Sequence, residues 1–163
     1  MLNDMLRPGL DLVFCGTAAG SESARRQAYY AGQGNKFWPI LHQIGLTPRQ
    51  LSPDEYVLLS EFGIGLTDLV KGKAGMDHTL NKADYDREGF VKRILVTQPK
   101  LVCFNGKQAA RAYLQLKKVE FGLQAGHHIG TTQLFVAPST SGAAGGYWNE
   151  AFWFQLSELK QHS

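Results

Sequence analysis

The sequence predicts an α/β fold built on a parallel sheet. Three short apolar runs, Asp11 to Cys15, Leu101 to Phe104 and Leu134 to Ala137, each end in a turn rich in small polar residues. Runs of four or five apolar residues bounded by turn signals fit buried strands. Stretches of helical periodicity lie between and around them. That alternation is the signature of strands joined by helical crossovers.

Each element has a local reason. Asn35 to Ile44 sets Phe37, Ile40, Leu41 and Ile44 on one helical face. Ser52-Pro53-Asp54-Glu55 combines a capping-box pattern with proline at the first helical position, and Leu58 and Leu59 follow as the apolar face. Asp86 to Val96 reads as a helix that stops before Pro99, and Gln108 to Leu116 as one that follows the second strand. Asn149 to Lys160 closes the chain, with Phe152, Leu156 and Leu159 spaced for packing. Lys71 to Asp84 is polar, contains glycine and reads as a long surface loop.

A chain of 163 residues is the size of one domain, and no internal repeat or linker divides residues 1–163. No apolar run is long enough to span a bilayer, and the first residues lack the pattern of a signal peptide. Cytoplasmic placement is therefore expected. The two cysteines, Cys15 and Cys103, sit in apolar runs and read as small buried hydrophobes. Their number and spacing speak against a disulfide framework or a cysteine zinc site. His127-His128 has no companion ligand set and reads as a solvated loop. The formal charge of +3 permits a nucleic-acid partner without demonstrating one.

In parallel α/β sheets, ligands bind outside the carboxyl ends of the strands. All three turns fall there, so they are expected to converge on one crevice. Gly16-Thr17-Ala18-Ala19-Gly20 reads equally as a tight strand-to-helix turn or as a ligand loop. It lacks the lysine of a P-loop and the glycine spacing of a dinucleotide site. Pro138-Ser139-Thr140-Ser141-Gly142 offers three hydroxyls and backbone amides suited to a phosphate, or else a polar surface loop. A serine nucleophile ranks low because no nucleophile elbow is present. Tyr29 and Tyr30 lie in a glycine-flanked loop, where aromatic rings can stack on a base. Asp68 is an acid within the apolar segment Gly65-Leu66-Thr67-Asp68-Leu69-Val70.

Together these segments resemble the mismatch-specific uracil/thymine-DNA glycosylases of the uracil-DNA glycosylase superfamily. The resemblance begins at Arg7-Pro8-Gly9-Leu10 and Val13-Phe14-Cys15-Gly16. It continues through Asn35-Lys36-Phe37-Trp38, Gly65 to Val70 and Asn105-Gly106-Lys107-Gln108-Ala109, and ends at Pro138 to Gly142. It implies a three-layer α/β/α sandwich with a short, mainly parallel central sheet, working without metal or cofactor. The implied partner is DNA carrying uracil or a mismatched or damaged base, duplex or single-stranded, bound by a monomer. The implied reaction is flipping of the nucleotide and hydrolysis of its N-glycosidic bond. Hypoxanthine and thymine are further candidate bases.

The resemblance also assigns roles. Gly16, Thr17, Ala18, Tyr30 and Asn35 are placed around the base, with backbone amides near Thr17 and Tyr30 stabilising the leaving uracil anion. Ser139, Thr140, Ser141, Gly142 and Lys107 are placed on the DNA backbone. Two departures stand out. The family's water-positioning asparagine is replaced by Ala18, whose methyl cannot hold a water, and Asp68 is the expected substitute. Ala143 and Ala144 stand where the family inserts a bulky wedge, so weak reading of the opposite base is expected. Two rival readings are a non-catalytic DNA- or nucleotide-binding module and a small-molecule hydrolase. Distance between Asp68 and the crevice at Gly16 and Ser139 would favour the module.

Overall fold

A computed structural model of the chain describes residues 3–18, 21–70, 86–142, 146 and 148–161. In chain order the elements are β1 (Leu12–Gly16), α1 (Ser21–Arg26), α2 (Phe37–Gln43), a 3₁₀ helix (Pro53–Phe62), β2 (Ile64–Asp68) and α3 (Arg87–Thr97). There follow β3 (Leu101–Asn105), α4 (Lys107–Leu114), β4 (Gly122–Ile129), β5 (Thr132–Ala137) and α5 (Glu150–Gln161).

The five strands form one sheet in the order β2-β1-β3-β5-β4. The pairs β1–β2, β1–β3 and β3–β5 are parallel, and only β4 runs antiparallel, against β5. The parallel strands are apolar on both faces because each face is covered by helices. On one face Leu12, Phe14, Ile64, Leu66, Leu101, Cys103 and Phe135 pack under α2, α5 and the 3₁₀ helix. On the other, Val13, Cys15, Val102, Phe104, Leu134 and Val136 pack under α3 and α4. The predicted three-layer α/β/α sandwich with a short, mainly parallel sheet is the architecture observed.

Both outer edges are managed. Met5 makes a two-bond antiparallel bridge to Leu66, at 2.9 and 3.0 Å, and so caps part of the β2 edge. At the opposite edge β4 carries a register shift between Leu123 and His128, an irregularity that blunts a strand edge.

Three local readings change. His127 and His128 are exposed residues of β4 and not part of a loop. The segment after Ser52 is a 3₁₀ helix, and it starts with the expected capping box, Glu55 Oε1 accepting from the Ser52 amide at 3.0 Å. Ile64–Asp68, taken only as an apolar segment, is a full strand of the sheet. Cys15 and Cys103 are buried thiols, as expected. The expected loop Lys71 to Asp84 lies outside the described residues. Among those described, no helix is long and apolar enough to cross a membrane.

Candidate active site

The site arises where one face of the sheet stops being apolar. Residues two apart on a strand share a face. Along β1, Leu12 and Phe14 lead to Gly16. Along β2, Ile64 and Leu66 lead to Asp68. Along β3, Leu101 and Cys103 lead to Asn105. Gly16 is paired with Asp68, and Asn105 with Ala137. The face thus ends at its carboxyl edge in a glycine, a carboxylate and a carboxamide side by side.

Asp68 is only 4% exposed. A Cβ built on Gly16 would lie 3.1 Å from Asp68 Oδ1 and 3.5 Å from the Tyr30 hydroxyl oxygen. Three residues from separate elements therefore meet at one point. The end of β2 is held from behind. Arg93 donates to the Asp68 carbonyl at 2.9 Å and pairs with Asp4 at 2.8 Å, while Thr67 donates to Asp4 at 2.9 Å. The first turn is tied to the same place, since Leu69 and Val70 amides donate to the Gly16 and Thr17 carbonyls at 2.9 and 2.6 Å.

Tyr30 lies across the aromatic part of this face. Its ring stacks on Phe37 with centroids 4.0 Å apart, and Phe37 meets Phe14 edge-on at 5.0 Å. The ring is half-buried, but its hydroxyl is fully buried. The backbone is at φ 53°, a left-handed conformation that a bulky residue adopts only when its surroundings enforce it. Those surroundings are visible. Ser23 accepts from the Ala28 and Ala31 amides, Trp38 Nε1 donates to the Tyr29 carbonyl, and the Tyr29 hydroxyl donates to the Asn3 carbonyl. Burial first, then the Asp68 carboxylate, holds the Tyr30 phenol well above the ordinary tyrosine range; the nearby Asn105 carboxamide opposes them. Tyr29 is raised too, by burial and then by Asp68.

The serine-rich loop joins the site through Asn105. Asn105 Nδ2 donates to Thr140 Oγ1, and the Thr140 amide donates to Asn105 Oδ1, both at 2.9 Å. The Lys36 amide donates to the Thr140 carbonyl at 2.8 Å, and Trp153 Nε1 holds the Pro138 carbonyl at 3.0 Å. Gly106 permits the close approach. It sits at φ 106°, and a Cβ there would come within 3.1 Å of Ser139.

Several expected positions are thereby placed. Gly16 and Tyr30 meet Asp68, the Thr17 carbonyl binds the Val70 amide, Asn35 adjoins Lys36, whose amide binds the Thr140 carbonyl, and Ala18 follows Thr17 half-buried in the first turn. Asn35 Oδ1 accepts from the Phe37 amide at 3.0 Å and so starts α2. Thr140 corrects the expected grip. It is 1% exposed and turned inward onto Asn105, so its hydroxyl cannot reach a phosphate. Ser139 and Ser141 are half-buried and Gly142 is exposed, with the Ser141 amide donating to Ser139 Oγ. Lys107 sits at the start of α4 with its ammonium 4.4 Å over the Phe121 ring. Ala143 and Ala144 lie outside the described residues.

Asn105, Arg93 and Asp4 make contacts that brace the site and were not expected from the sequence. Asn105 ended an apolar strand just before a glycine, which is a usable signal. Arg93 and Asp4 carried none. An open hollow of about 350 Å³ beside them is lined by Asp4, Leu6, Lys92, Arg93, Val96 and Thr97. It includes none of Gly16, Tyr30, Asp68 or Asn105. Among the described residues no group of three or more His, Cys, Asp or Glu side chains is placed to hold a metal ion.

Comparison with known proteins agrees with this fold. A solution structure of a candidate uracil DNA glycosylase from Methanosarcina acetivorans has the same fold. The TM-score is 0.69 at 21% identity, covering 99% of this chain and 97% of that one. The family model of the uracil DNA glycosylase superfamily matches residues 4–158. The chain belongs to the uracil DNA glycosylase superfamily.

Proposed function

We propose that the protein is a monofunctional DNA glycosylase of the mismatch-specific kind that flips uracil out of DNA and hydrolyses its N-glycosidic bond, initiating base excision repair. DNA glycosylase activity in general follows from the superfamily. The uracil reading and the residue roles go beyond it. The observation that carries them is the buried Asp68 carboxylate beside side-chain-free Gly16, next to an aromatic ring that is partly open.

The flipped base stacks on Tyr30. Asp68 accepts a proton from a water whose oxygen bonds to the sugar C1′. The C1′–N bond breaks with its electron pair left on the base, which departs as an anion stabilised by backbone amides near Thr17 and Tyr30. The proton on Asp68 then passes to solvent. A carboxylate close to the sugar also stabilises its oxocarbenium character. Ser139, Ser141, Gly142 and Lys107 hold the backbone, contacts that position without specifying a base. Extrusion costs least at a mispair, which favours G:U over A:U. The protein acts as a cytoplasmic monomer.

A strand-nicking assay tests the reading. Duplexes carrying one uracil, hypoxanthine or thymine are incubated with the protein in chelator and then treated with alkali. Alkali-labile sites at uracil are the expected result. Absence of cleavage at all three bases, with duplex binding retained, would favour the non-catalytic module.

A further inference from the structure

The space beside the Gly16 Cα is bounded by two oxygens of different chemistry. Asp68 Oδ1 lies 3.1 Å and the Tyr30 hydroxyl 3.5 Å from the point a Cβ would occupy. A methyl at that point would crowd a water bound between the two oxygens. The Tyr30 hydroxyl is buried and makes no hydrogen bond of good geometry among the described residues, although the Asn105 carboxamide lies nearby. A buried hydroxyl left unsatisfied costs roughly 1–3 kcal/mol, so a group in this position calls for a ligand. The strained backbone of Tyr30, φ 53°, is held by the Ser23 and Trp38 bonds described above, and it aims the hydroxyl inward, away from solvent.

We infer that Gly16, Asp68 and Tyr30 form one water site, in which the Tyr30 hydroxyl is a second holder of the attacking water and not only the edge of a stacking ring. The inference rests on the glycosylase reading above. The water gives one hydrogen to Asp68 Oδ1 and meets the phenolic oxygen on its other side, which leaves a lone pair for C1′. The tyrosine keeps its proton throughout. Gly16 is required because a methyl there would stand 3.1 Å from Asp68 Oδ1 and 3.5 Å from the Tyr30 hydroxyl and crowd a water bound between them. The arrangement supplies what Ala18 cannot.

The role separates from stacking by experiment. Tyr30→Phe keeps the ring and removes the hydroxyl. Gly16→Ala puts a methyl in the niche, on a backbone that is not left-handed. Single-turnover excision of uracil and affinity for a duplex bearing a non-hydrolysable uracil nucleotide are measured for both. Tyr30→Phe is expected to slow excision roughly 5- to 10-fold, the value of one positioned hydrogen bond, with affinity unchanged. Gly16→Ala is expected to slow it at least as much, again without loss of affinity. Tyr30→Ala, by contrast, weakens both. Wild-type rates in Tyr30→Phe overturn the inference and leave the glycosylase reading intact. Should Gly16→Ala fail to fold, Tyr30→Phe decides alone. A wild-type protein inactive on uracil DNA overturns the reading itself, and the inference with it.

Discussion

The two faces of the sheet are made from the same strands and do different work. On the α3–α4 face the residues nearest the carboxyl edge are Cys15, Phe104 and Val136, all buried and apolar. On the α2–α5 face the corresponding positions are Gly16, Asp68 and Asn105. One register step separates support from chemistry. The first face can be closed because it need only exclude water. The second changes character at its end, exchanging bulk for a glycine and two polar side chains. The rings beneath, Phe14, Phe37 and Tyr30, pack on one another under that edge.

The largest expected effect belongs to the supporting face. Phe104 is fully buried, stacks on Tyr113 and lies near Phe90. Phe104→Ala is expected to cost about 3–5 kcal/mol of stability. Denaturant unfolding reads it, and the folded fraction should keep its excision rate. A large loss of rate at full folding would erase the division of labour between the faces.

Asn105→Ala comes next. It removes both bonds to Thr140, leaving that buried hydroxyl without its donor, at about 1–3 kcal/mol. The serine loop loses its anchor, so DNA binding should weaken alike for every target base. If binding holds while the excised base changes, Asn105 reads the base and does not anchor the loop.

The smallest effect is a pH dependence. Tyr29 and Tyr30, on the site face, are held well above the ordinary range by burial and then by Asp68. On the other face Tyr113 is raised by burial, with Arg87 opposing. A raised folded value means that the stability from the neutral phenols is complete below about pH 10, where an unfolded tyrosine ionises, and falls as pH rises beyond it. Phenolate absorbance should show Tyr29 and Tyr30 silent in the native protein until it unfolds, and Tyr30→Phe should flatten the loss of stability above pH 10. Ionisation of both at ordinary pH in native protein would mean that the site face is open to water.

Much of the fold was legible because its causes are local. The apolar runs of β1, β3 and β5 and the helical stretches of α2, α3 and α5 declare themselves within a few residues. β2 did not, since Gly65 and Thr67 break its apolar run and only pairing with β1 makes it a strand. β4 did not either. It is an exposed edge holding Gly126, His127 and His128, and its conformation depends on β5. Asp68 stood out as an acid in an apolar segment. The inward turn of Thr140 was illegible because it depends on Asn105, 35 residues away. The Asp4–Arg93 brace behind Asp68 likewise exists only once the fold is made.

The central claim is that the carboxylate at the end of the site face serves the water. Asp68→Asn keeps the shape and removes the charge. Single-turnover excision on a uracil–guanine duplex, measured beside the wild type, should fall about 10²-fold or more, the range of a positioned acid–base group. Duplex affinity should hold or tighten as a negative charge leaves a face that meets phosphates. Cleavage by Asp68→Asn at close to the wild-type rate would contradict the account.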